Sequence, residues 1–258
     1  MFKDEFMAAA NGAAGKAKLL KNNPLGYFLL SILAGMFIGF GILLVFTLSG
    51  ALDGAPYTKL LMGIFFSVAL SLVVIAGAEL FTGNNMVMFA GYLKKTVSLG
   101  EVLKLWLICW IGNLVGAILL AFIYNATGLY TDATLTAMTN TAAMKMTAGF
   151  IPLLTRGMLC NMLICLAVWC GFRSKSESGK LIMVFWCIVA FFTTGFEHSI
   201  ANMTLLTLAL INNGGNEVIT MGGYWFNLLT VTVGNMIGGI LLVAIPYYVA
   251  QLDKQKAA

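Results

Sequence analysis

The residues best suited to chemistry in this chain are Glu197 and His198, which stand side by side in the apolar stretch GFEHSIANM. His198 is the only histidine among 258 residues. Imidazole is the side chain most able to exchange a proton near neutral pH. A carboxylate in an apolar setting must be paired or heavily hydrogen-bonded. The pair therefore marks either an exposed loop or a permeation site inside a membrane.

Composition decides between these alternatives. The chain is 60% hydrophobic and only 10% charged, with a mean hydropathy of +0.92, whereas about 25% of residues are charged in soluble domains. Uncharged runs such as 22–52 and 218–252 exceed the ~20 residues that a helix needs to cross a bilayer. The sequence therefore predicts an all-α polytopic membrane protein and disfavours a soluble domain.

The distribution of basic residues predicts the topology. Lysine and arginine cluster before the first span, after the second, between the fourth and fifth, and at the C-terminus, and only Lys59, Lys145 and Arg156 fall outside these clusters. Because cytoplasmic loops carry the basic excess, we expect both termini in the cytoplasm. The predicted spans are 26–50, 60–93, 105–126, 150–172, 181–212 and 224–248. The outward connections are 51–58, 127–148 and 213–223.

Three segments of different character follow from this topology. Residues 1–21 are expected to form a cytoplasmic amphipathic segment lying at the membrane surface, because they combine lysines with apolar side chains. Residues 22–250 are expected to form one transmembrane channel domain, and 251–258 a cytoplasmic tail.

An internal repeat explains two spans that are too long. As continuous helices, the second and fifth spans would be roughly 50 Å long, and each has a glutamate in its interior. Both contain the pattern G-x-E-x4-N, and GNLVGAILL in the third span matches GNMIGGILL in the sixth. The matched residues are Gly77, Glu79 and Asn84 against Gly195, Glu197 and Asn202. We therefore predict an inverted three-helix repeat, about 26–126 and 150–248, with interrupted second and fifth helices.

The interruptions predict an anion site. Half-helices restarting near 82–84 and 199–201 would direct two positive N-termini at one another, which favours an anion between them. Glu79 and Glu197 are interpreted as structural residues that accept freed backbone N–H groups, with Asn84 and Asn202 as partners. The repeat places Leu80 opposite His198. This broken symmetry favours a functional, neutral imidazole able to exchange a proton.

The cysteines predict no metal site. All five lie in apolar segments and read as small core residues: Cys109, Cys160, Cys165, Cys170 and Cys187. Their spacing is not that of metal ligands, and one histidine cannot supply the paired ligation expected of a membrane haem. We therefore expect neither metal nor cofactor.

Several stretches together resemble the formate/nitrite transporter family, and its nitrite-channel branch most closely. These are AELFTGNNM, GNLVGAILL, Lys145, LCNMLICLAVW and GFEHSIANM. The resemblance implies a homopentamer in which each protomer has an aquaporin-like fold and its own pore. It also implies a chamber, two constrictions, a gate and an anion-attracting lysine. The chamber residues are His198, Thr82 and Asn161; the outer constriction is Leu80 and Phe191, and the inner one Leu70 and Ile164; 82–85 is the gate and Lys145 attracts anions.

The resulting hypothesis is a channel or secondary transporter in the inner membrane of a prokaryote. It passes small monovalent weak-acid anions, with nitrite first and formate or hydrosulfide as alternatives. An anion crossing an apolar ring loses several kcal/mol of solvation, so we expect it to take a proton through His198 and pass as the neutral acid.

Two other classes are less favoured. A neutral-solute pore for water or glycerol would carry Asn-Pro-Ala at the interruptions, and an ammonium channel would carry paired histidines; neither pattern is present. A membrane enzyme is disfavoured because no nucleophile–base pair is visible. Arg156 remains open between a pore-facing and a structural role.

Overall fold

A computed structural model describes residues 2–52 and 54–252 of the chain. The described residues form helices and connecting loops, and six stretches are long and apolar enough to cross a membrane. The helices are α1 (Lys3–Asn22), α2 (Pro24–Leu52), α3 (Thr58–Leu72), α4 (Phe81–Leu93), α5 (Leu99–Thr127), α6 (Asp132–Thr147), α7 (Phe150–Arg173), α8 (Glu177–Thr194), α9 (Ser199–Ile211), α10 (Met221–Gly239) and α11 (Ile245–Gln251). The predicted all-α membrane fold is confirmed. Within the predicted tail at 251–258, residues 253–258 lie outside the described ranges.

The helix ends follow from local sequence. Because lipid offers no hydrogen bonds, each spanning segment satisfies its backbone internally as a helix. Ser98 begins α5 with a capping box, in which its side chain accepts from the Glu101 amide at 3.2 Å and Glu101 accepts from the Ser98 amide at 2.8 Å. Gly128 ends this helix at a φ of 63°.

The second and fifth spans are interrupted as predicted. α3 continues as a π-helix over Val73–Gly77, the next residues are extended, and α4 begins at Phe81. α8 ends at Thr194, and α9 begins at Ser199. A glycine at positive φ lies at each interruption, 81° at Gly77 and 85° at Gly195. Other residues rarely adopt this conformation, so these glycines permit the chain to leave the helix.

The two halves use the same close helix contact. A Cβ on Gly116 of α5 would overlap the carbonyl oxygen of Ile32 in α2, and a Cβ on Gly238 of α10 would overlap that of Met158 in α7. Small residues of this kind let membrane helices approach backbone to backbone. The repeated glycine therefore fixes α2 on α5 and α7 on α10.

We expect Gly238→Val to reduce the folded protein severely. The added side chain has no space against Met158, and forced overpacking costs about 1–3 kcal/mol or more. Gly171→Ala is the matched control, because nothing lies within 4 Å of a Cβ at that position. Thermal unfolding in detergent is the measurement, and equal melting temperatures for the two variants would contradict the packing argument.

One connection differs from the hydropathy pattern. The predicted outward segment 127–148 contains α6, which ends with Lys145 in its last turn. Its N-cap is Thr131, whose side chain accepts from the Thr134 amide at 3.2 Å. This helix is rich in threonine and alanine, so a search for long apolar runs does not find it.

The N-terminal helix α1 packs against the membrane-spanning helices. Phe6, Ala9 and Ala13 are fully buried, and Phe6 packs near Trp169 and Tyr248 with ring centroids 6.2 and 5.6 Å apart. α1 contacts α2, α4 and α7. It therefore packs on one end of the helix bundle, and its position at the membrane surface stays a prediction.

Candidate functional site

Two cavities enter the protomer from opposite ends. The Lys145 cavity, about 390 Å³, is lined by residues that include Lys59, Lys145, Phe191, Gly195 and His198. The Lys16 cavity, about 400 Å³, is lined by residues that include Lys16, Leu70, Glu79, Leu80 and Val168. α2 contributes Phe46 to the first and Leu30 to the second. Sixteen residues of helix separate these two positions, about 24 Å at ~1.5 Å per residue.

A barrier separates the cavities at the two helix interruptions. Among the described residues, the two cavities have no lining residue in common. Between them, Thr82 in the first turn of α4 meets His198, the N-cap of α9, with Oγ1 3.2 Å from Nε2. Thr82 is fully buried and His198 is 3% exposed. The two half-helix N-termini therefore meet at this contact, as the repeat predicts.

The hydrogen bonds of His198 select one neutral tautomer. Its Nδ1 accepts a hydrogen bond from the Ala201 backbone amide at 3.1 Å. An amide N–H only donates, so Nδ1 carries no proton and the neutral ring carries its proton on Nε2. Nε2 then donates to Thr82 Oγ1. The helix cap thus points one N–H donor at the barrier.

Asn161 of α7 lies next to the Thr82–His198 contact and is hydrogen-bonded to the first turn of α4. Its amide nitrogen donates to the carbonyl oxygens of Thr82 and Asn235 at 3.2 and 2.6 Å and to the Asn85 side-chain oxygen at 3.0 Å. Asn161 is fully buried, and its side-chain oxygen has no partner among the described residues. The residue thus joins α7 to the first turn of α4.

The four predicted constriction residues are buried beside the barrier. Phe191 lines the Lys145 cavity and stacks on His198 with ring centroids 6.0 Å apart. Leu70 and Leu80 both line the Lys16 cavity, and Ile164 is 1% exposed. Leu80 therefore lines the same cavity as Leu70, and the family resemblance implies that it also pairs with Phe191.

A lysine, a glutamate and an asparagine are bonded in the same arrangement in each half of the repeat, and the lysine and the asparagine line the cavity of that half. In the first half, Glu79 accepts from Lys16 Nζ at 2.7 Å and from Asn84 at 2.9 Å. In the second half, Glu197 accepts from Lys145 Nζ and from Asn202, both at 2.7 Å. The asparagine partners were predicted from the repeat. Lys16 was missed because α1 lies outside it.

The freed backbone groups are satisfied by another pair of residues. Asn113 of α5 accepts from the Phe81 amide at 3.0 Å and donates to the Glu79 carbonyl at 2.9 Å. Asn235 of α10 accepts from the Ser199 amide and donates to the Glu197 carbonyl, both at 3.0 Å. The prediction that the Glu79 and Glu197 carboxylates accept the backbone amides freed by the breaks is wrong. Among the described residues, the two carboxylates accept hydrogen bonds from lysine and asparagine side chains.

The signal for these asparagines was present in the sequence. Asn113 and Asn235 are the second residues of GNLVGAILL and GNMIGGILL, the stretches that indicated the internal repeat. An asparagine has both a donor and an acceptor, so it can bond the N–H and the C=O released at a helix break. A glutamate carboxylate has only acceptors.

Arg156 contributes through its backbone. Its carbonyl oxygen accepts from the Glu197 amide at 3.3 Å, just as the Leu30 carbonyl accepts from the Glu79 amide at 3.2 Å. The Arg156 side chain is exposed on the protomer surface and lines neither cavity. In a single protomer, Arg156 therefore contributes to the interruption through its backbone carbonyl and not through its side chain.

We expect Lys145→Met to destabilise the fold, because it leaves the Glu197 carboxylate buried without a cation. Breaking a buried pair costs several kcal/mol, and since the Lys145 side chain is 19% exposed we expect about 2 kcal/mol. The double variant Lys145→Met with Glu197→Gln should recover most of the loss. Thermal unfolding of the single and double variants measures the coupling, and strictly additive effects would contradict it.

The comparisons with known proteins extend over nearly the whole chain. The model of the family described as formate/nitrite transporter matches residues 4–249. The chain belongs to the formate/nitrite transporter family. It is 40% identical to the nitrite transporter NirC of Escherichia coli K12 over 251 residues, which covers 97% of this chain and 92% of that protein.

Solved structures of this family superimpose on the chain. One, titled an FNT family ion channel, has a TM-score of 0.93 and 38% identity, and the match covers 97% of this chain and 100% of that one. Another, titled a pentameric formate channel with formate bound, has a TM-score of 0.76 and 30% identity, covering 89% and 98%. The protein is thus a multi-pass membrane protein with the fold of formate/nitrite transporters.

Proposed function

We propose that the protein is a channel or secondary transporter for small monovalent weak-acid anions. Nitrite is the first choice, because the similar Escherichia coli protein is named a nitrite transporter. Formate is an alternative supported by the similar formate channel, and hydrosulfide has the same charge and weak basicity. The observation that carries the proposal is the meeting of two half-helix N-termini at Thr82 and His198, between two cavities.

The electrostatics of the barrier favour an anion over a cation. α4 and α9 each present roughly half a positive charge at their N-terminal ends. The His198 N–H adds a hydrogen-bond donor at the same place. The buried glutamates do not reverse this sign, because Lys16 and Lys145 each lie 2.7 Å from one carboxylate oxygen. The barrier therefore offers hydrogen-bond donors to an acceptor ligand.

Weak acids fit this barrier better than chloride does. Phe191, Leu70, Leu80 and Ile164 are all at most 3% exposed and offer an ion no polar group. Moving an unpaired charge past such side chains costs several kcal/mol. A weak-acid anion avoids this by taking a proton at the chamber and passing as its neutral acid. Chloride is far too weak a base to do so.

His198 acts in this mechanism as a neutral donor to the anion. If it gave up its Nε2 proton while Nδ1 stayed bonded to the Ala201 amide, the product would be an imidazolate, a far stronger base than nitrite or formate. The proton that the anion keeps therefore enters from water in the cavity. The imidazole relays it only if the Nδ1 bond to Ala201 opens.

The constrictions are proposed from the positions of these side chains. Phe191 would close the Lys145 cavity, and Leu70 with Leu80 would close the Lys16 cavity. Ile164 would line the barrier near Asn161, one turn away on α7. Residues 82–85 are the proposed gate, because a shift of this first turn of α4 would break the Thr82–His198 contact.

Assembly and orientation are proposed on the same basis. Large apolar side chains such as Phe40, Leu107 and Phe122 are exposed on the protomer, and lipid and neighbouring copies in a homopentamer would cover them. The similar formate channel is titled pentameric. We place the protein in the inner membrane with α1 and the C-terminus in the cytoplasm, as the basic clusters favour.

The test is stopped-flow flux into proteoliposomes that contain only this protein. Nitrite, formate, hydrosulfide and chloride are compared between pH 5 and pH 8, with protein-free vesicles as the control. We expect fast flux of the weak acids, a dependence on external pH and little chloride flux. Glycerol and water flux equal to that of empty vesicles would separate the proposal from a neutral-solute pore. Chloride flux equal to nitrite flux would refute the proton-dependent mechanism.

A further inference from the structure

The Lys145 cavity contains a second lysine whose charge no carboxylate of the described residues balances. Lys59, the second residue of α3, lines this cavity together with Phe192 and Gly195. Its side-chain nitrogen lies 3.1 Å from the position that a Cβ would take on Gly195, at the bend before His198. Within residues 2–52 and 54–252, the hydrogen bonds and ion pairs do not involve this ammonium group.

Lys145 is in the opposite situation. Its nitrogen lies 2.7 Å from a Glu197 oxygen, and the Glu197 side chain is 4% exposed. The pair is neutral as a unit, so its field falls off with distance much faster than that of a single charge. The family resemblance implies anion attraction by Lys145, whereas among the described residues Lys59 is the lysine of this cavity without a carboxylate partner.

We propose that Lys59 recruits the permeating anion at the mouth of the Lys145 cavity. The inference rests on the proposed anion transport and names the residue that sets its capture rate from this side. The remaining walls are largely apolar, including Phe46, Met62 and Phe196. A cavity with low-dielectric walls concentrates the field of one charge and raises the local concentration of its counter-ion.

A structural role for Lys59 predicts a different result. α8 ends at Thr194 beside the Lys59 ammonium, and a cation stabilises the negative C-terminal end of a helix. If this were its whole role, removing the charge would lower the melting temperature and leave the flux per folded oligomer unchanged. If Lys59 recruits the anion, removing its charge instead slows anion influx per folded oligomer, and the size of this effect depends on ionic strength.

The test compares Lys59→Gln with Lys104→Gln. Lys104 is also exposed, and it lines neither cavity, so both variants lose one charge. Initial nitrite influx is measured per folded oligomer in proteoliposomes. At about 10 mM salt we expect Lys59→Gln to be roughly threefold to tenfold slower than the native protein. The difference should fade near 0.5 M salt, where exposed charges are screened beyond a few ångströms. Lys104→Gln should behave as native.

Charge rescue makes the test two-sided. Lys59→Cys is treated after reconstitution with a membrane-impermeant thiosulfonate that attaches either a trimethylammonium or a sulfonate group. The native protein, with its own five cysteines, is treated in parallel. The cationic reagent should restore influx and the anionic one should lower it further. Thr141→Glu, which adds a carboxylate to the same cavity, neutralises it by a second route if Lys59→Gln does not fold.

The outcomes separate this inference from the function on which it rests. If the native protein transports no weak-acid anion, the proposed function fails and recruitment fails with it. If native influx is fast but Lys59→Gln equals Lys104→Gln at low salt, recruitment by Lys59 alone is refuted. Equal effects of the cationic and anionic reagents would refute it as well.

Discussion

His198→Phe is expected to lower weak-acid flux at least about tenfold, a change in barrier of ~1.4 kcal/mol or more. Phenylalanine fills the ring volume beside Phe191 but offers no N–H to the barrier and no acceptor for the Ala201 amide. An anion in the chamber then loses the side-chain donor that faces Thr82. Stopped-flow influx of nitrite and formate between pH 5 and pH 8, per folded oligomer, is the measurement.

His198→Gln is the matched variant, because glutamine can donate an N–H to the barrier but cannot relay a proton. We expect it to retain much more flux than His198→Phe, with the pH dependence of the native protein. If the two variants were equally slow, proton transfer through the ring would be required and the neutral-donor mechanism would be wrong. If both kept native flux, His198 would be only a structural helix cap.

Asn235→Leu is expected to cause the largest loss of stability of any single substitution considered for this chain. Its side chain accepts from the Ser199 amide and donates to the carbonyls of Glu197 and Gly157, at 3.0, 3.0 and 2.8 Å. Each buried group left without a partner costs about 1–3 kcal/mol, so we expect a loss of several kcal/mol. Thermal unfolding of the oligomer in detergent is the measurement.

Asn235→Asp separates loss of shape from loss of donors. Aspartate keeps the volume and an acceptor for the Ser199 amide but cannot donate to the two carbonyls when ionised. It should also be strongly destabilising. Asn113→Leu should match Asn235→Leu, because Asn113 makes the equivalent bonds to Phe81, Glu79 and Ser31. A melting temperature for Asn235→Leu within a few degrees of native would contradict this account.

Much of the fold was predictable, because lipid constrains the sequence so strongly. Length and charge located the six spans, and the excessive length of the second and fifth indicated that both are broken. The restarts at Phe81 and Ser199 fall within two residues of the predicted windows. α6 was missed, since its threonines and alanines give no apolar run although its caps and packing make it helical.

The part of the candidate site that is repeated in both halves of the chain was predictable. Matching the halves placed Asn84 and Asn202 beside the two glutamates. Partners from outside the repeat gave no such signal: Lys16 belongs to α1, and Lys59 starts a helix far from the motifs. Asn113 and Asn235 stand in the repeated stretches, but their role at the helix breaks was not predicted. Finding it requires knowing in three dimensions which backbone donors and acceptors each break leaves unpaired.

The pairing of Lys16 with Glu79 and of Lys145 with Glu197 has a consequence for how the chain is made. In each pair the lysine precedes its glutamate, by 63 and 52 residues. At about 5–20 residues per second of synthesis, each cation leaves the ribosome several seconds before the carboxylate it will neutralise. The lysine that pairs with each glutamate is therefore already synthesised when the span containing that glutamate is inserted. Neutralisation of the glutamate does not depend on a residue that is made later.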